Sequence, residues 1–118
     1  MKKKDIVYIL HIRDAIDLIL EYTKDLNRKD FNSKQIIQDA VIRRIAIIGE
    51  AVKNISMNFR EKYSEIAWKK IAGIRDKVIH GYFNVDIVRV WTVIIKDIPV
   101  LKKRIEEIIN KEEENKKN

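Results

Sequence analysis

The sequence predicts an all-α fold, built as an up-and-down bundle of four to five helices. Only three glycines and one proline occur in 118 residues, and no segment alternates apolar and polar residues between turn signals. Apolar residues instead recur at three- and four-residue spacing along most of the chain. We therefore expect almost no sheet and a single helical domain over residues 1–118.

Two long helices are predicted in the first half of the chain. Residues 5–26 place apolar side chains on one helical face, at Ile6, Ile9, Leu10, Ile16, Ile19 and Leu20. "NRKDFNS" interrupts this pattern, and Ser33 offers an N-cap for a second helix from Lys34 to about Met57. The apolar residues of that helix exceed the stripe of about 100° that a surface helix presents, so it must be covered on several sides.

A third helix is predicted to begin at Ser64 or Glu65 and to end at His80, where Gly81 suits a left-handed residue after the helix. The segment before it, "NFREKYSE", is a polar connection with space for one helical turn.

Helical spacing resumes after Asn84 or Asp86, either of which can cap a fourth helix. Pro99 suits the first turn of a new segment or kinks a continuous helix. The polar residues 111–118 are expected to fray.

Composition limits the functional class. The net charge of +7 and the pI of about 9.6 favour an anionic partner such as nucleic acid. Cysteine is absent, and no His, Asp or Glu spacing typical of a metal site occurs, so we expect no metal or other cofactor. Charged residues interrupt the apolar start of the chain, which predicts a soluble cytoplasmic protein without a membrane partner.

The segment "RDKVIHGY" combines two groups that suit phosphodiester chemistry. Arg75 and His80 would diverge by roughly 140° in an uninterrupted helix, but a helix that ends at His80 lets both reach one cleft. A guanidinium binds phosphate through two hydrogen bonds, and an imidazole transfers protons near neutral pH. Together they are a minimal set for attack on a phosphodiester without a metal.

The same segment resembles the R-x4-H-x-Y signature of the HepT-like toxins in the HEPN superfamily of small helical ribonucleases. Three blocks, the second of which contains this segment, resemble that family in the same order: "RRIAIIGEAVKNIS", "AWKKIAGIRDKVIHGYF" and "VDIVRVWTVIIKDIPVLKKRIEE". The likeness extends over about residues 5–108.

The resemblance implies roles for the motif residues. Arg75 and His80 match the catalytic pair, and Asp76 fills the polar position after the arginine. Tyr82 matches the tyrosine that MntA-type nucleotidyltransferase antitoxins modify with AMP. The family's toxins are homodimers that cleave RNA without metal at a cleft joining both copies of the motif. A type VII-like toxin–antitoxin pair is therefore implied.

Chemistry from the residues alone agrees with a dimer. RNA cleavage without metal needs both a base and an acid, and one chain offers one well-placed histidine. A two-fold dimer presents two copies of His80, and the apolar second helix also invites a covering partner. The rival hypothesis is a non-catalytic helical subunit that docks a minimal nucleotidyltransferase.

Other residues have weaker functional readings. Possible RNA contacts are Lys69, Lys70 and Lys77, with Arg43 and Arg44 as further candidates. Trp68 and Trp91 are predicted as core or dimer anchors rather than base-stacking platforms. His11 is predicted to be a surface or groove residue. Glu50 lies among apolar residues, so we expect a buried carboxylate with a basic partner.

Overall fold

The computed structural model describes residues 3–80 and 84–117, and it is predominantly helical. The elements in chain order are α1 (Lys3–Thr23), α2 (Arg28–Asn32), α3 (Gln35–Lys53), α4 (Met57–Lys62), α5 (Trp68–Ala72), α6 (Ile74–Val78), β1 (Ile79–His80), β2 (Asn84–Val85), α7 (Ile87–Thr92), a π-helical turn (Val93–Asp97) and α8 (Ile98–Lys117). The predicted all-α helical bundle is confirmed.

Three long helices form the body of the bundle. α1 packs along α3 and also contacts α8. Each contributes a stripe of buried aliphatic side chains at helical spacing, including Ile9, Ile12, Ile16 and Ile19 on α1, Val41, Ile45, Ile48 and Val52 on α3, and Ile98, Ile105 and Ile108 on α8. Burying such a side chain fully stabilises the fold by about 1.5–3 kcal/mol, so this isoleucine-rich core dominates the packing energy.

The apolar second helix is covered within the chain. α3 contacts α1 on one side and α5 and α6 on another, with smaller contacts to α2 and α7. Ile36, near its first turn, remains 84% exposed. The expectation of cover on several sides is confirmed, and these contacts lie within one chain, so α3 by itself gives little reason to invoke a partner.

Helix ends differ from the sequence prediction at several places. "NRKDFNS" contains the short helix α2, capped by Asn27 and Asp30 in a reciprocal capping box. Ser33 does not cap α3: its hydroxyl donates to the Asp30 carbonyl at 3.0 Å, and Lys34 takes the cap position. Asp86 does cap α7, because its carboxylate accepts from the Arg89 backbone N–H.

The predicted third helix was wrong in its extent. It begins at Trp68, is divided at Gly73 into α5 and α6, and ends at Val78 rather than His80. The helix stops there because Ile79 is extended, at φ −122° and ψ 125°, and pairs with Val85 in a two-stranded antiparallel sheet. The expectation of almost no sheet missed this small ladder.

The last third of the chain is one helical run from α7 to Lys117. The π-helical turn lies just before Pro99, which lacks an N–H and cannot complete an α-helical hydrogen bond to residue 95. Helix α8 continues to Lys117, so the polar residues 111–117 are helical, and their fraying stays a prediction. The carboxylate of Glu112 is buried, where it accepts from Lys62 Nζ at 2.8 Å and from the Tyr63 hydroxyl.

Candidate active site

The candidate catalytic segment begins on the short helix α6. Ile74 and Val78, four residues apart on one helical face, are both buried. Their burial turns Arg75, Asp76 and Lys77 toward solvent. The exposed side of α6 is therefore charged because its apolar face is fixed in the core.

His80 lies where the chain has left the helix. The N–H of Ile79 donates to the carbonyl of Arg75, which closes the last turn of α6. His80 then pairs with Asn84 across the small sheet, and its side chain is exposed. Because residues 79 and 80 are extended, the 140° separation expected within a helix does not apply to Arg75 and His80.

Arg75 presents its guanidinium to solvent. The side chain is 53% exposed, and its Nη1 lies 3.5 Å from a carboxylate oxygen of Asp76, which is 80% exposed. A solvated ion pair of this kind contributes about 0–1 kcal/mol. The guanidinium can therefore exchange this neighbour for a phosphate at little cost.

Gly49 of α3 packs against the α5–α6 junction and so helps to position the candidate catalytic segment. A Cβ placed on Gly49 would lie 3.1 Å from the carbonyl oxygen of Ala72, at the end of α5. That distance is tighter than ordinary packing, so a side chain at this position would push the Ala72 carbonyl away by a few tenths of an ångström. Sequence reasoning missed this residue, although a glycine within an apolar helix was a usable signal.

The predicted RNA-contact lysines divide into two groups. Lys70 and Lys77 line an open groove of about 420 Å³ between the α5–α6 region and α8, whereas Lys69 is exposed outside its lining. Lys77 Nζ lies 3.4 Å from Asp97 Oδ2. Lys96 and Arg104 line the opposite wall. They were not predicted as RNA contacts, because they lie far from the motif along the chain.

The two tryptophans are packing residues, as predicted. Trp68 is 6% exposed, and its indole N–H donates to the carbonyls of Arg60 and Tyr63 at 3.1 and 3.0 Å. Trp91 is half-buried, with its ring centroid 5.3 Å from that of Phe31. Both rings anchor the core of one chain.

Glu50 corrects an expectation. It is exposed and lies 3.4 Å from the ammonium of Lys53, so it is not the buried carboxylate that was predicted. The buried carboxylates are Asp5 and Glu112. Asp5 accepts from the backbone N–H and hydroxyl of Ser56, each at 2.8 Å, and so secures the start of α4.

The remaining candidates lie elsewhere or outside the described residues. His11 is exposed and lines a second groove, of about 270 Å³, together with Tyr8 and Arg43. Its prediction as a groove residue is confirmed. Gly81 and Tyr82 lie outside the described residues.

Residues 3–80 and 84–117 contain neither a cluster of metal ligands nor a helix suited to a membrane. In that part of the chain, no three His, Asp or Glu side chains cluster in a way that could hold a metal ion. No helix within it is long and apolar enough to cross a membrane.

Comparison with known proteins decides the family. The family profile described as "Ribonuclease HepT-like" matches residues 12–108, which include the whole of α6 and His80. The chain belongs to the HepT-like ribonuclease family. Its resemblance to HepT-like proteins, first seen in the motif blocks, is thereby confirmed.

This HepT-like chain is also similar in sequence to individual curated proteins. A Methanocaldococcus jannaschii protein named as a gamma-glutamylcyclotransferase and inferred RNase is 51% identical over all 118 residues, but the chain spans only 53% of its length. An inferred RNase of Caldanaerobacter subterraneus is 44% identical over 89% of this chain and 94% of its own. A Thermococcus cleftensis protein named as an inferred ribonuclease HepT is 43% identical over 92% of this chain and 98% of its own length. No solved structure matches the chain.

Proposed function

We propose that this chain is a metal-independent endoribonuclease and the toxin of a HepT/MntA-type pair. The observation that supports this most is the exposure of Arg75 and His80 at one helix end, within the family match. Two relatives that this chain matches over nearly their whole length are named as RNases, which supports RNA as the substrate.

The proposed reaction transfers two protons. One imidazole removes the proton of a ribose 2′-hydroxyl, whose oxygen attacks the adjacent phosphorus. A second group protonates the 5′-oxygen as the bond from phosphorus to that oxygen breaks. The products are a 2′,3′-cyclic phosphate and a 5′-hydroxyl end. Arg75 binds the phosphate and stabilises the charge that develops on the phosphorane. Asp76, 3.5 Å from Arg75, supports its orientation.

The second proton-transfer group is proposed to be His80 of a second copy of the chain. The other histidine of the sequence, His11, lines a different groove on α1 and α3 and does not share this segment. In a two-fold dimer the same surface faces itself, so both motifs can border one cleft. A variant confirmed as monomeric by sedimentation should cut RNA far more slowly than wild type. Equal rates would disprove the shared cleft.

Tyr82 is proposed as the regulatory residue, modified with AMP by an MntA-type antitoxin. Tyr82 follows Arg75 by seven residues and His80 by two in the sequence. An added phosphodiester and nucleoside there would compete with RNA through charge and volume. Tyr82→Phe should stay active in the presence of that antitoxin and ATP, while Tyr8→Phe, the control, should be silenced. Silencing of Tyr82→Phe would refute this role.

The reaction class is tested with purified protein. Wild type should cleave a labelled RNA in excess EDTA and leave 5′-hydroxyl ends, which a kinase can label directly. An RNA that is fully 2′-O-methylated should resist, because it lacks the nucleophile. Cleavage that stops on chelation, or that proceeds on the methylated strand, would rule out this mechanism.

A further inference from the structure

The groove beside α6 has a floor and walls of different character. Its floor is aliphatic, with Ile71 and Ile74 from the α5–α6 side and Leu101 from α8. Its volume of about 420 Å³ is within the about 300–1,000 Å³ of pockets that enclose small ligands. A single nucleotide unit is of that class.

Cations border both walls of the groove. Lys70 and Lys77 stand on one wall, and Lys96 and Arg104 stand on the other. Val100 lies between the last two, one helical turn from each, and is 61% exposed. This wall, formed by the π-helical turn and α8, therefore presents two positive charges separated by the apolar side chain of Val100.

The lining of this groove carries a net positive charge. Two carboxylates, Glu65 and Asp97, also line it, and Asp97 is paired with Lys77. Among the residues that the structure describes, Lys70, Lys96 and Arg104 form no ion pair. Four cations against two carboxylates leave the lining with two excess positive charges.

This combination selects between possible occupants. Single-stranded nucleic acid places apolar base faces and anionic phosphates side by side, so it matches an aliphatic floor with cationic walls. A second copy of the chain is disfavoured, because a two-fold contact through this groove would bring its cations against themselves. Charge complementarity therefore points to an anionic strand.

We propose that the groove between α5–α6 and α8 binds single-stranded RNA beside the scissile linkage, with Lys96 and Arg104 contacting its phosphates. The proposal rests on the proposed ribonuclease function for its substrate. α6 connects the two sites, since Ile74 and Lys77 face the groove while Arg75 lies between them in sequence. A strand leaving the groove along α6 reaches Arg75 within one helical turn.

Binding is measured separately from cleavage, with a fluorescent 2′-O-methyl single-stranded RNA that the proposed chemistry cannot cut. Lys96→Ala/Arg104→Ala should bind this strand about fivefold or more weakly at 0.1 M salt, with the slope of log K against log [salt] reduced by about 1.4 for two lost phosphate contacts. The control Lys103→Ala/Lys111→Ala removes the same charge from exposed positions on α8 outside the groove, and should bind with the wild-type slope within error.

A second pair of variants adds charge instead of removing it. Val100→Asp places a carboxylate between Lys96 and Arg104, whereas Val88→Asp places one on α7, where the side chain is 55% exposed and lies outside the groove. Both exposed sites should tolerate the change in thermal unfolding. Only Val100→Asp should weaken RNA binding, by about twofold or more, because one added carboxylate offsets one cationic contact.

The outcomes separate the two proposals. If wild type cuts RNA but both groove variants bind and cut as their controls do, the groove proposal is overturned and the ribonuclease proposal stands. The groove proposal would also be overturned if the groove variants bound RNA as wild type does but no longer associated with an acidic protein partner. If wild type binds the strand through the groove but never cuts unmodified RNA, the groove proposal is supported and the ribonuclease proposal fails.

Discussion

Arg75 faces solvent because Ile74 and Val78, which share one face of α6, occupy the core. His80 faces solvent for a different reason, since the chain is extended there and paired with residue 84. Neither side chain contributes to the core. Replacing either one should change chemistry without changing stability.

The first prediction concerns the phosphate-binding role of Arg75. Arg75→Ala should lower the single-turnover cleavage rate by about 10²–10³, the usual loss on removing one donor to a developing oxyanion. Arg75→Lys keeps the charge but cannot form the two parallel hydrogen bonds of a guanidinium, so its cleavage rate should lie between those of wild type and Arg75→Ala. The control is Arg28→Ala, an exposed cation on α2, which should cut at the wild-type rate. A wild-type rate for Arg75→Ala would exclude the role.

Some residues of the site were accessible from sequence and others were not. Arg75 and His80 stand close together in a recognisable pattern, so their joint exposure could be anticipated. Lys96 and Arg104 reach the groove only because α8 folds back beside α5 and α6, and no local pattern encodes that proximity. Glu50 was misjudged because apolar neighbours in sequence need not be neighbours around a helix.

At the scale of elements, the site depends on how closely α3 supports the α5–α6 junction. Sequence periodicity predicted the long helices α1 and α3, whose buried stripes are regular. It failed for α5, α6 and the β1–β2 ladder, because elements of two to five residues hold too few positions to show a period. Their shape is imposed by contacts with α3 and α7.

A substitution at Gly49 tests how closely α3 supports the α5–α6 junction. Gly49→Val should destabilise the fold by about 1–3 kcal/mol, because its Cβ would meet the Ala72 carbonyl at 3.1 Å and the neighbours must shift. Gly73→Val is the matched control, since its Cβ would come no closer than 3.8 Å to Lys69 O, and it should lose less stability than Gly49→Val. Urea unfolding measures both. Equal stability of Gly49→Val and wild type would contradict the close approach.

The C-terminal half of α8 is held by Glu112. Burial alone would raise the pKa of Glu112, but hydrogen bonds from Lys62 and Tyr63 and the Lys62 charge outweigh burial and hold it below its ordinary value of 4.5. Burial and the Glu112 hydrogen bond raise the pKa of Tyr63 well above its usual range. The ionised carboxylate and neutral phenol are therefore the stable pair.

A pH dependence follows from that pair. Because the pKa of Glu112 is lowered on folding, its stabilisation is present above the unfolded value of about 4.5 and is lost as the pH falls through the lower folded value. Glu112→Gln should cost about 1.5–3 kcal/mol at pH 7 and progressively less below pH 4.5. Urea unfolding against pH measures this, with exposed Glu113→Gln as control. A pH-independent difference would refute the ionised pair.

At the scale of the whole molecule, the described chain is elongated, with principal extents of 49 × 30 × 20 Å. Its excess of positive charge, +7 overall, gives long-range attraction for RNA at low salt. One copy of the motif supplies one imidazole at the end of α6, whereas the proposed reaction moves two protons. A dimer resolves that mismatch without any additional residue type.

The most direct test compares RNA cleavage by wild type and His80→Ala, both verified as folded by thermal unfolding and matched in oligomeric state. The account predicts that His80→Ala cleaves a labelled RNA in EDTA at least about 10²-fold more slowly, because both proton transfers lose their imidazole. His11→Ala, which removes the histidine of the other groove, should retain the wild-type rate. Cleavage by His80→Ala at the wild-type rate would contradict the account.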